Sequence, residues 1–593
     1  MYHAPLRDLA FVLDELIGSQ ALAGCADFAD YSSELAAAVL GEAAKFAQEV
    51  LDPLNQPGDQ EGARWTPEGV VAAQGFKDAY RQFVAGGWPQ LGQSSEYGGQ
   101  NVPRMLATAV QEIWASANLA FKLCPMLTIG AAHALELTGT PEQRRLYLEK
   151  MVRGEWTGTM VLTEPQAGSD LGLIRTRAVP EGDHYRLYGQ KIFITWGDHD
   201  CTDNIIHMVL ARIEGAPQGT RGISMFIVPK VLVAANGSLG ARNDVRCVSI
   251  EHKLGIHASP TCVLAFGEKA GAIGYLVGEA NRGLEYMFIM MNTARLAVGL
   301  EGYAVAERAF QHAAEYARTR LQGRVAVAPG SGATPTIIHH PDVKRMLLTM
   351  KSAVEAMRAT ALYAASQLDL AAHHADRAVR AAAQARGDLL IPIVKAWSTE
   401  LGIELASLGI QVHGGMGYIE ETGAAQYLRD VRITAIYEGT TGIQANDLIG
   451  RKIGRDGGAA MTGLLEAMRG ELAAAQPSDA AAQAACRAAL EAVDQLAAGT
   501  HALLGMLASS PERAAAVAVP YLMLSGFAIG GWQMARAAVL AAGKTAGAER
   551  EFYLGKLATA QFYGEQLLPR TLALQRIVER GAAAVAGVDA ALI

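Results

Sequence analysis

The sequence predicts a mostly α, α+β chain built in blocks: helical, then β, then helical twice more. Three observations predict it. Alanine-rich stretches with few β-branched residues dominate both ends, a composition that favours helix. Between Trp156 and Arg282 the texture changes to short β-rich runs punctuated by Gly, Pro and Asp, the pattern of a mainly antiparallel β-domain. The length, 593 residues, is several times that of a typical domain and sets an expectation of three or four.

Residues 1–158 read as an N-terminal helical domain. Leu35 to Val50 is one amphipathic run, and Glu142 to Val152 is another, with Thr140 placed to cap it ahead of Pro141. Residues 159–282 form the middle β-domain, through GTMVLTE, HYRLYGQKIFITW, NIIHMVLARI, GISMFIVPK and TCVLAFG. Helical periodicity returns at Gly283 in one long helix ending YARTR, followed by a Pro/Gly/Thr loop from Gly323 to Pro341 and further helices to about Lys452, giving a third domain over 283–453. Gly454 to Met461, GRDGGAAM, is a linker. Residues 462–593 form an additional helical domain, with turns at Gln476–Asp479 and Ser509–Arg513.

Composition narrows the class. Hydrophobic residues make up 50% and charged residues 19%, which fits a large buried core and argues against disorder. The formal net charge of -8 disfavours a nucleic-acid binder. The six cysteines are scattered, with no CxxC pair or zinc spacing, and read as buried free thiols in a reducing, cytoplasmic setting. No metal site is expected: His339-His340 lacks further ligands at suitable spacing. The N-terminus carries early acids and no long apolar core, so no signal peptide is read there. Ala514 to Ala535 is free of charge and long enough to span a bilayer. Its Pro520, Ser525, Gln533 and three glycines favour a buried helix over a membrane anchor.

Four segments stand out as places where chemistry could sit. In MVLTEPQAGSD, Met160 to Asp170, a strand runs into a turn of small residues at Ala167-Gly168-Ser169. Backbone N–H groups there could approach a bulky polar ligand, although an ordinary strand-end turn reads equally well. In GQKIFITWG, Gly189 to Gly197, strand alternation would put Phe193 and Thr195 on one face, able to cover a planar ring and hydrogen-bond its edge; a β-core aromatic is the simpler reading. QVHGGMGYIEE, Gln411 to Glu421, holds three glycines within four residues, which suits a phosphate contact or a plain turn. In RDVRITAIYEGTTGIQ, Arg429 to Gln444, Glu438 follows an apolar run. Lost solvation there would raise its pKa and make it a better base. A surface acid before a helix capped by Thr440 or Thr441 is the alternative.

These segments, in this order, together with WPQLGQSSEYGGQNVP, KIFIT and the long helix ending YARTR, resemble the acyl-CoA dehydrogenase family over about Trp88 to Lys452. The resemblance implies an N-terminal helical domain, a middle antiparallel β-domain and a C-terminal four-helix bundle, here followed by an extra C-terminal helical domain. In the family FAD lies between the β-domain and the bundle and is also touched by the neighbouring subunit. By that resemblance Met160, Leu162, Thr163, Gly168 and Ser169 line the flavin, with Ser169 also near the CoA. Phe193 and Ile194 lie against the isoalloxazine, Thr195 hydrogen-bonds the flavin edge, and Thr440 belongs to the same set. Arg320, Gln411, Gly414 and Gly415 reach the partner subunit's FAD. Asn292, Arg295 and Gly439 stand on the substrate side, and Glu438 matches the catalytic base. Some members carry the base one residue before the Arg295 position; here that residue is Ala294, which cannot take a proton.

Three features depart from the family pattern. The family's RxxFG is here Arg320-Leu321-Gln322-Gly323-Arg324, without the Phe; the loop Gly323 to Pro341 is longer; and Gly442 replaces a polar residue. Length and the added C-terminal block resemble a bacterial four-domain subclass of fatty acyl-CoA and 3-methylmercaptopropionyl-CoA dehydrogenases, in which the added helices occupy the surface where three-domain members pair into tetramers. A homodimer is therefore expected. The implied reaction is α,β-dehydrogenation of an acyl-CoA to a trans-2-enoyl-CoA, with electrons passed to an electron-transfer flavoprotein. Two other readings share the fold: an oxidase that gives its electrons to oxygen, and an FAD-containing relative that binds DNA.

Overall fold

The computed structural model describes residues 1–324 and 335–593; residues 325–334 of the Gly323–Pro341 loop lie outside the described residues. The elements needed below are, in chain order, a hairpin of β1 (Arg64–Thr66) and β2 (Gly69–Val71), then helices α1 (Arg104–Ala117) and α2 (Leu119–Thr138). Next come β3 (Thr157–Val161), β4 (Arg177–Glu181), β5 (His184–Thr195), β6 (Ile205–Ile213) and β7 (Ile223–Pro229). They are followed by β8 (Val231–Val233), β9 (Leu239–Arg242), β10 (Val245–Ile250), β11 (Thr261–Phe266) and β12 (Ala272–Val277). The later helices are α3 (Gly283–Thr319), α4 (Pro341–His373), α5 (Arg377–His413) and α6 (Thr441–Asn446), then, in the added block, α7 (Ala480–Ser509), α8 (Ala518–Ala542), α9 (Arg550–Phe562) and α10 (Pro569–Arg580).

Two compact units divide these elements. One gathers Glu42–Pro103 and Ala117–Ala297; the other gathers Tyr2–Gly41, Arg104–Ser116 and Val298–Ile593.

In the first unit an eight-stranded sheet runs β10-β11-β5-β12-β7-β6-β3, with β4 pairing β5 and β6. Its ladders are antiparallel except β3 with β6 and β4 with β6, which are parallel. Every residue of β7 and β11 is buried, so these runs read as continuously apolar, as strands covered on both faces do. Period-two alternation sorts the two faces. Ile206, Met208 and Leu210 of β6 join Leu135, Tyr147 and Met151 in one cluster, while Val209 and Ala211 join Phe226, Leu187 and Leu264 in another. The helices beside the sheet start at capping residues, Thr140 as its sequence predicts. Asn118 caps α2 by accepting from Phe121 N at 3.0 Å. Thr140 and Gln143 form a reciprocal capping box, which ties off two otherwise unpaired N–H groups.

The second unit is helical. The charge-free stretch 514–535 resolves into a short turn of helix and α8, whose Ala528, Ile529, Ala535 and Ala538 are fully buried. Among the described residues no helix is long and apolar enough to cross a membrane. The linker 454–461 is a hydrogen-bonded turn that runs into a helix, Ala459–Ala474, with the Asp456 carboxylate accepting from Gly458 N and Ala460 N at 2.9 Å each. Asp479 caps α7 in the same way through Ala481 N and Ala482 N. The six cysteines are free and buried.

Candidate active site

In the first unit, strand β3 carries Met160 and delivers the chain to a tight turn. Glu164 and Ala167 exchange two backbone hydrogen bonds, at 3.0 and 2.9 Å. Beyond it Gly168 and Ser169 are exposed, and nothing lies within 4 Å of where a Gly168 Cβ would be. The Thr163 carbonyl accepts from Ile192 N at 2.9 Å, so this turn is stitched to the end of β5 that carries Phe193, Ile194 and Thr195.

That end of β5 is not plain strand, and the expectation of simple alternation from Phe193 to Thr195 fails. Phe193 has φ 59°, and the β11 ladder slips here: Cys262 faces Ile194 while Leu264 faces Lys191. Two β5 residues thus oppose one on β11, a bulge, which bends the strand and re-aims its side chains. Phe193 is left 58% exposed while Ile194 is buried. Trp196, with φ 49°, turns inward: its ring stacks on Phe76 and its Nε1 donates to the Ala120 carbonyl at 3.1 Å.

A buried ion pair underlies both segments. Lys191 Nζ lies 2.9 Å from Glu164 Oε1 and donates to the Leu162 carbonyl at 2.7 Å. The Glu164 carboxylate also accepts from Thr176 Oγ1 and N, Arg175 N and Gln166 Nε2. Burial alone would raise its pKa, but Lys191 and these donors outweigh burial and hold it at about 2. Burial pulls Lys191 down to about 8, against the pull of Glu164. Both groups are charged at neutral pH. Sequence reasoning missed the pair, though a lysine amid the apolar KIFIT run was a visible signal.

In the second unit, Glu438, Gly439 and Thr440 fall in one turn between the 432–435 helical turn and α6. Glu438 is half-buried and has φ 55°, a left-handed conformation that costs a non-glycine residue about 1–3 kcal/mol and persists only when its surroundings over-determine it. They do here. Gln444 Nε2, fully buried, donates to the Glu438 carbonyl at 3.0 Å. Lys395 of α5, fully buried, donates to the Gly439 carbonyl at 2.7 Å. The Tyr437 hydroxyl donates to the buried Glu301 carboxylate of α3, and Thr441 Oγ1 to Glu400 of α5. Burial, then the Glu301 charge, push the Tyr437 pKa well above its ordinary value, so that hydroxyl keeps its proton. Gly439 has φ 89° and a Cβ there would come 2.7 Å from Gln444 Nε2, so glycine is required. Thr440 caps α6 through Ile443 N.

The remaining sequence-predicted residues fall into two places. In the first unit Asn292 is half-buried near the start of α3, and Arg295 is buried with its guanidinium 5.9 Å from the Phe288 ring centroid. In the second unit Gln411, Gly414 and Gly415 are exposed at the far end of α5, with open space at both glycines. His413 packs its ring 4.6 Å from those of His312 and Tyr316 on α3, so Arg320, one turn past Tyr316, sits at the same end of the bundle. That end is about 24 Å along α5 from Lys395, at 1.5 Å per residue. The structure thus separates these residues from the Glu438 turn of their own chain.

Comparison with known proteins matches the whole arrangement. Family models described as the acyl-CoA dehydrogenase N-terminal, middle and C-terminal domains match residues 33–155, 159–268 and 281–453, and one described as acetyl-CoA dehydrogenase C-terminal like matches 464–589. A 3-methylmercaptopropionyl-CoA dehydrogenase of Ruegeria pomeroyi is 48% identical over 572 residues, covering 96% of each chain. A broad-specificity linear acyl-CoA dehydrogenase of Mycobacterium tuberculosis is 36% identical over 603 residues, covering 98% of this chain and 97% of its own. Among solved structures, an acyl-CoA dehydrogenase of Bacillus anthracis complexed with FAD superposes with a TM-score of 0.75 at 20% identity, over 96% of this chain and 91% of its own; that likeness bears on the fold alone. Matched nearly end to end by these relatives and by four successive domain models, the chain belongs to the acyl-CoA dehydrogenases, an FAD-dependent family of oxidoreductases.

Proposed function

We propose that this chain oxidises an acyl-CoA thioester across its Cα–Cβ bond, with the Glu438 carboxylate as the base that takes the α-proton. The observation that carries this is the Glu438 turn, where a half-buried carboxylate is held in a left-handed conformation by Gln444 and Lys395. Strain of this kind is kept where geometry matters for function.

The residues fit a flavin. Phe193 presents an exposed ring at the β5 bulge, and Gly168 and Ser169 leave open backbone beside it. In the second unit, Gly414 and Gly415 offer the same openness for an adenosine or phosphate contact from a partner subunit's cofactor. Met160, Leu162, Thr163, Ile194 and Thr195 would hold the ring system, and Arg320 and Gln411 the distal half in the partner; Thr440 completes the set. When bound, FAD supplies the acceptor for the β-hydrogen, which leaves the substrate as hydride.

The chain's own residues do the rest. An α-proton beside a thioester is weakly acidic, so N–H donors aimed at the carbonyl oxygen lower the barrier by stabilising the developing enolate. The Glu438 backbone N–H supplies one such donor, with Gly439, Asn292, Arg295 and Ser169 on the substrate side. Loss of one proton to Glu438 and of one hydride leaves a trans-2-enoyl-CoA. The two electrons pass on to an electron-transfer flavoprotein. The substrate is a fatty acyl-CoA or 3-methylmercaptopropionyl-CoA, matching the relatives' names, and the working form is a cytoplasmic homodimer.

Glu438→Gln tests the reading. The variant should purify yellow, with FAD bound, and lose most flavin reduction on mixing with butyryl-CoA or 3-methylmercaptopropionyl-CoA. Reduction at the wild-type rate would place the base elsewhere.

A further inference from the structure

The stretch of α5 from Lys395 to Glu404 is gripped by two partners. Lys395 donates to the Gly439 carbonyl and Glu400 accepts from Thr441, so α5 holds the Glu438 turn at two points. The second partner is the added C-terminal block. Trp397 is fully buried and lies about 200° around the helix from Lys395, at 100° per residue. Its ring fills a slot in α8 that exists because two residues there lack side chains. A Cβ on Gly526 would lie 2.2 Å from Trp397 Cγ, and one on Gly530 would lie 2.8 Å from its Cη2. Phe527, between those glycines, meets the Trp397 ring at 6.0 Å in an edge-on contact. Glu404 is seven residues on from Trp397 and so shares its face. It is bound by Arg570 of α10 through two bonds of 2.8 and 2.6 Å, and that guanidinium also covers the Phe527 ring at 5.4 Å.

We propose that the 462–593 block is a brace for the reacting turn: α8 seats Trp397, and Trp397, as a positioning residue, sets the α5 segment whose Lys395 and Glu400 hold the backbone around Glu438. The proposal rests on Glu438 being the base. The added block then does more than cover surface. The slot locates α5 to within a ring's width, and the Arg570–Glu404 pair fixes its rotation. The turn that α5 carries is itself strained, so it needs such support. A shift of about 1 Å at a reacting group can cost up to about 100-fold in rate. Carbon atoms in contact need about 3.6 Å, so a methyl group forced into the slot at Gly526 must displace α5 or α8 by about 1.4 Å.

The test is Gly526→Ala in the FAD-loaded full chain, with butyryl-CoA as substrate and a dye as acceptor, and rates expressed per bound flavin. Gly463→Ala is the control: it lies in the same block, is exposed, and has nothing within 4 Å of the added methyl. We expect Gly526→Ala to lower kcat about 10-fold with KM within about twofold and to move the acid limb of the kcat–pH profile, while Gly463→Ala matches the wild type. Trp397→Phe loosens the slot without a clash and should lower kcat and move the limb in the same way; it decides the matter if Gly526→Ala does not fold. Melting temperatures that fall while kcat per flavin and the pH limb stay at wild-type values in both variants would reduce Trp397 to a plain core residue and overturn the brace. Glu438→Gln run alongside separates the two ideas. Wild-type turnover in that variant removes the base and the brace together, whereas an inactive Glu438→Gln beside unaffected slot variants removes the brace alone.

Discussion

Gln444 donates its side-chain N–H to the main-chain carbonyl of Glu438, at 3.0 Å, from a fully buried position six residues later in the chain. The same amide lies 3.4 Å from the Gly439 carbonyl, so one side chain closes the turn on which the carboxylate stands. Gln444→Met keeps the volume and removes the donor. Leaving a buried carbonyl without its partner costs about 1–3 kcal/mol, and the turn relaxes. The expected result is a lower melting temperature and a kcat reduced about 10-fold with FAD still bound. An unchanged kcat would show that the Lys395, Glu301 and Glu400 contacts set the turn without Gln444.

Glu438 itself should prove costly to the fold. At φ 55° glycine is at ease, whereas any residue with a Cβ is disfavoured by about 1–2 kcal/mol. Glu438→Gly should therefore melt higher than Glu438→Ala, even though both should be inactive. The comparison holds the lost carboxylate constant and isolates the backbone. Equal melting temperatures in a side-by-side calorimetric scan would mean that no strain is stored there.

Local signals make part of this legible in the sequence. Thr140 ahead of Pro141 reads as an N-cap, and the helix starts there, with Gln143 closing a capping box. The long helix from Gly283 shows its period directly, and strands β6 and β7 stand out as apolar runs. Not every strand stands out: among others, Arg246 and Ser249 break the apolar pattern of β10 and Gly274 that of β12. At the candidate site the residue types were readable, but their holders were not. Lys395 lies 44 residues before the carbonyl it grips, and Glu301 lies 136 before its tyrosine; no spacing rule links them. The β5 bulge at Phe193 was hidden for another reason: it depends on a register slip against β11, which a single strand's pattern does not contain.

The Glu164–Lys191 pair predicts a pH dependence. The Glu164 carboxylate is held at about 2 in the fold against an ordinary 4.5. A depressed carboxylate contributes stability that is present above its unfolded pKa and is lost as pH falls through its folded one. The wild type should thus lose melting temperature between about pH 4.5 and pH 2 more steeply than Glu164→Gln, which has no such proton to take up. Glu164→Gln should start lower at pH 7, because Lys191 is then buried without its counter-charge. Parallel melting curves across that pH window would remove the pair from the account.

The sharpest stability test lies in the second unit, where Arg358 of α4 is 1% exposed and bonds Glu112 of α1 and Glu307 of α3. One guanidinium is shared by two carboxylates that the fold buries together. Removing it leaves both unpaired, a change that costs about 3–5 kcal/mol, so Arg358→Met should melt far below the wild type at pH 8. The direction of recovery follows from Glu112. Burial raises its pKa above the ordinary value even with Arg358 beside it, and without the guanidinium the shift grows. A carboxyl whose folded pKa exceeds its unfolded one takes up a proton more readily in the fold, so lowering the pH stabilises that fold. Arg358→Met should therefore gain melting temperature from pH 8 down to about pH 5. The triple variant Arg358→Met, Glu112→Gln, Glu307→Gln, which carries no charge at the site, should recover most of the loss at every pH. A single variant that melts with the wild type would show that the ion pairs contribute nothing; a triple variant that stays as low as the single one would assign the cost to lost packing around the arginine stem.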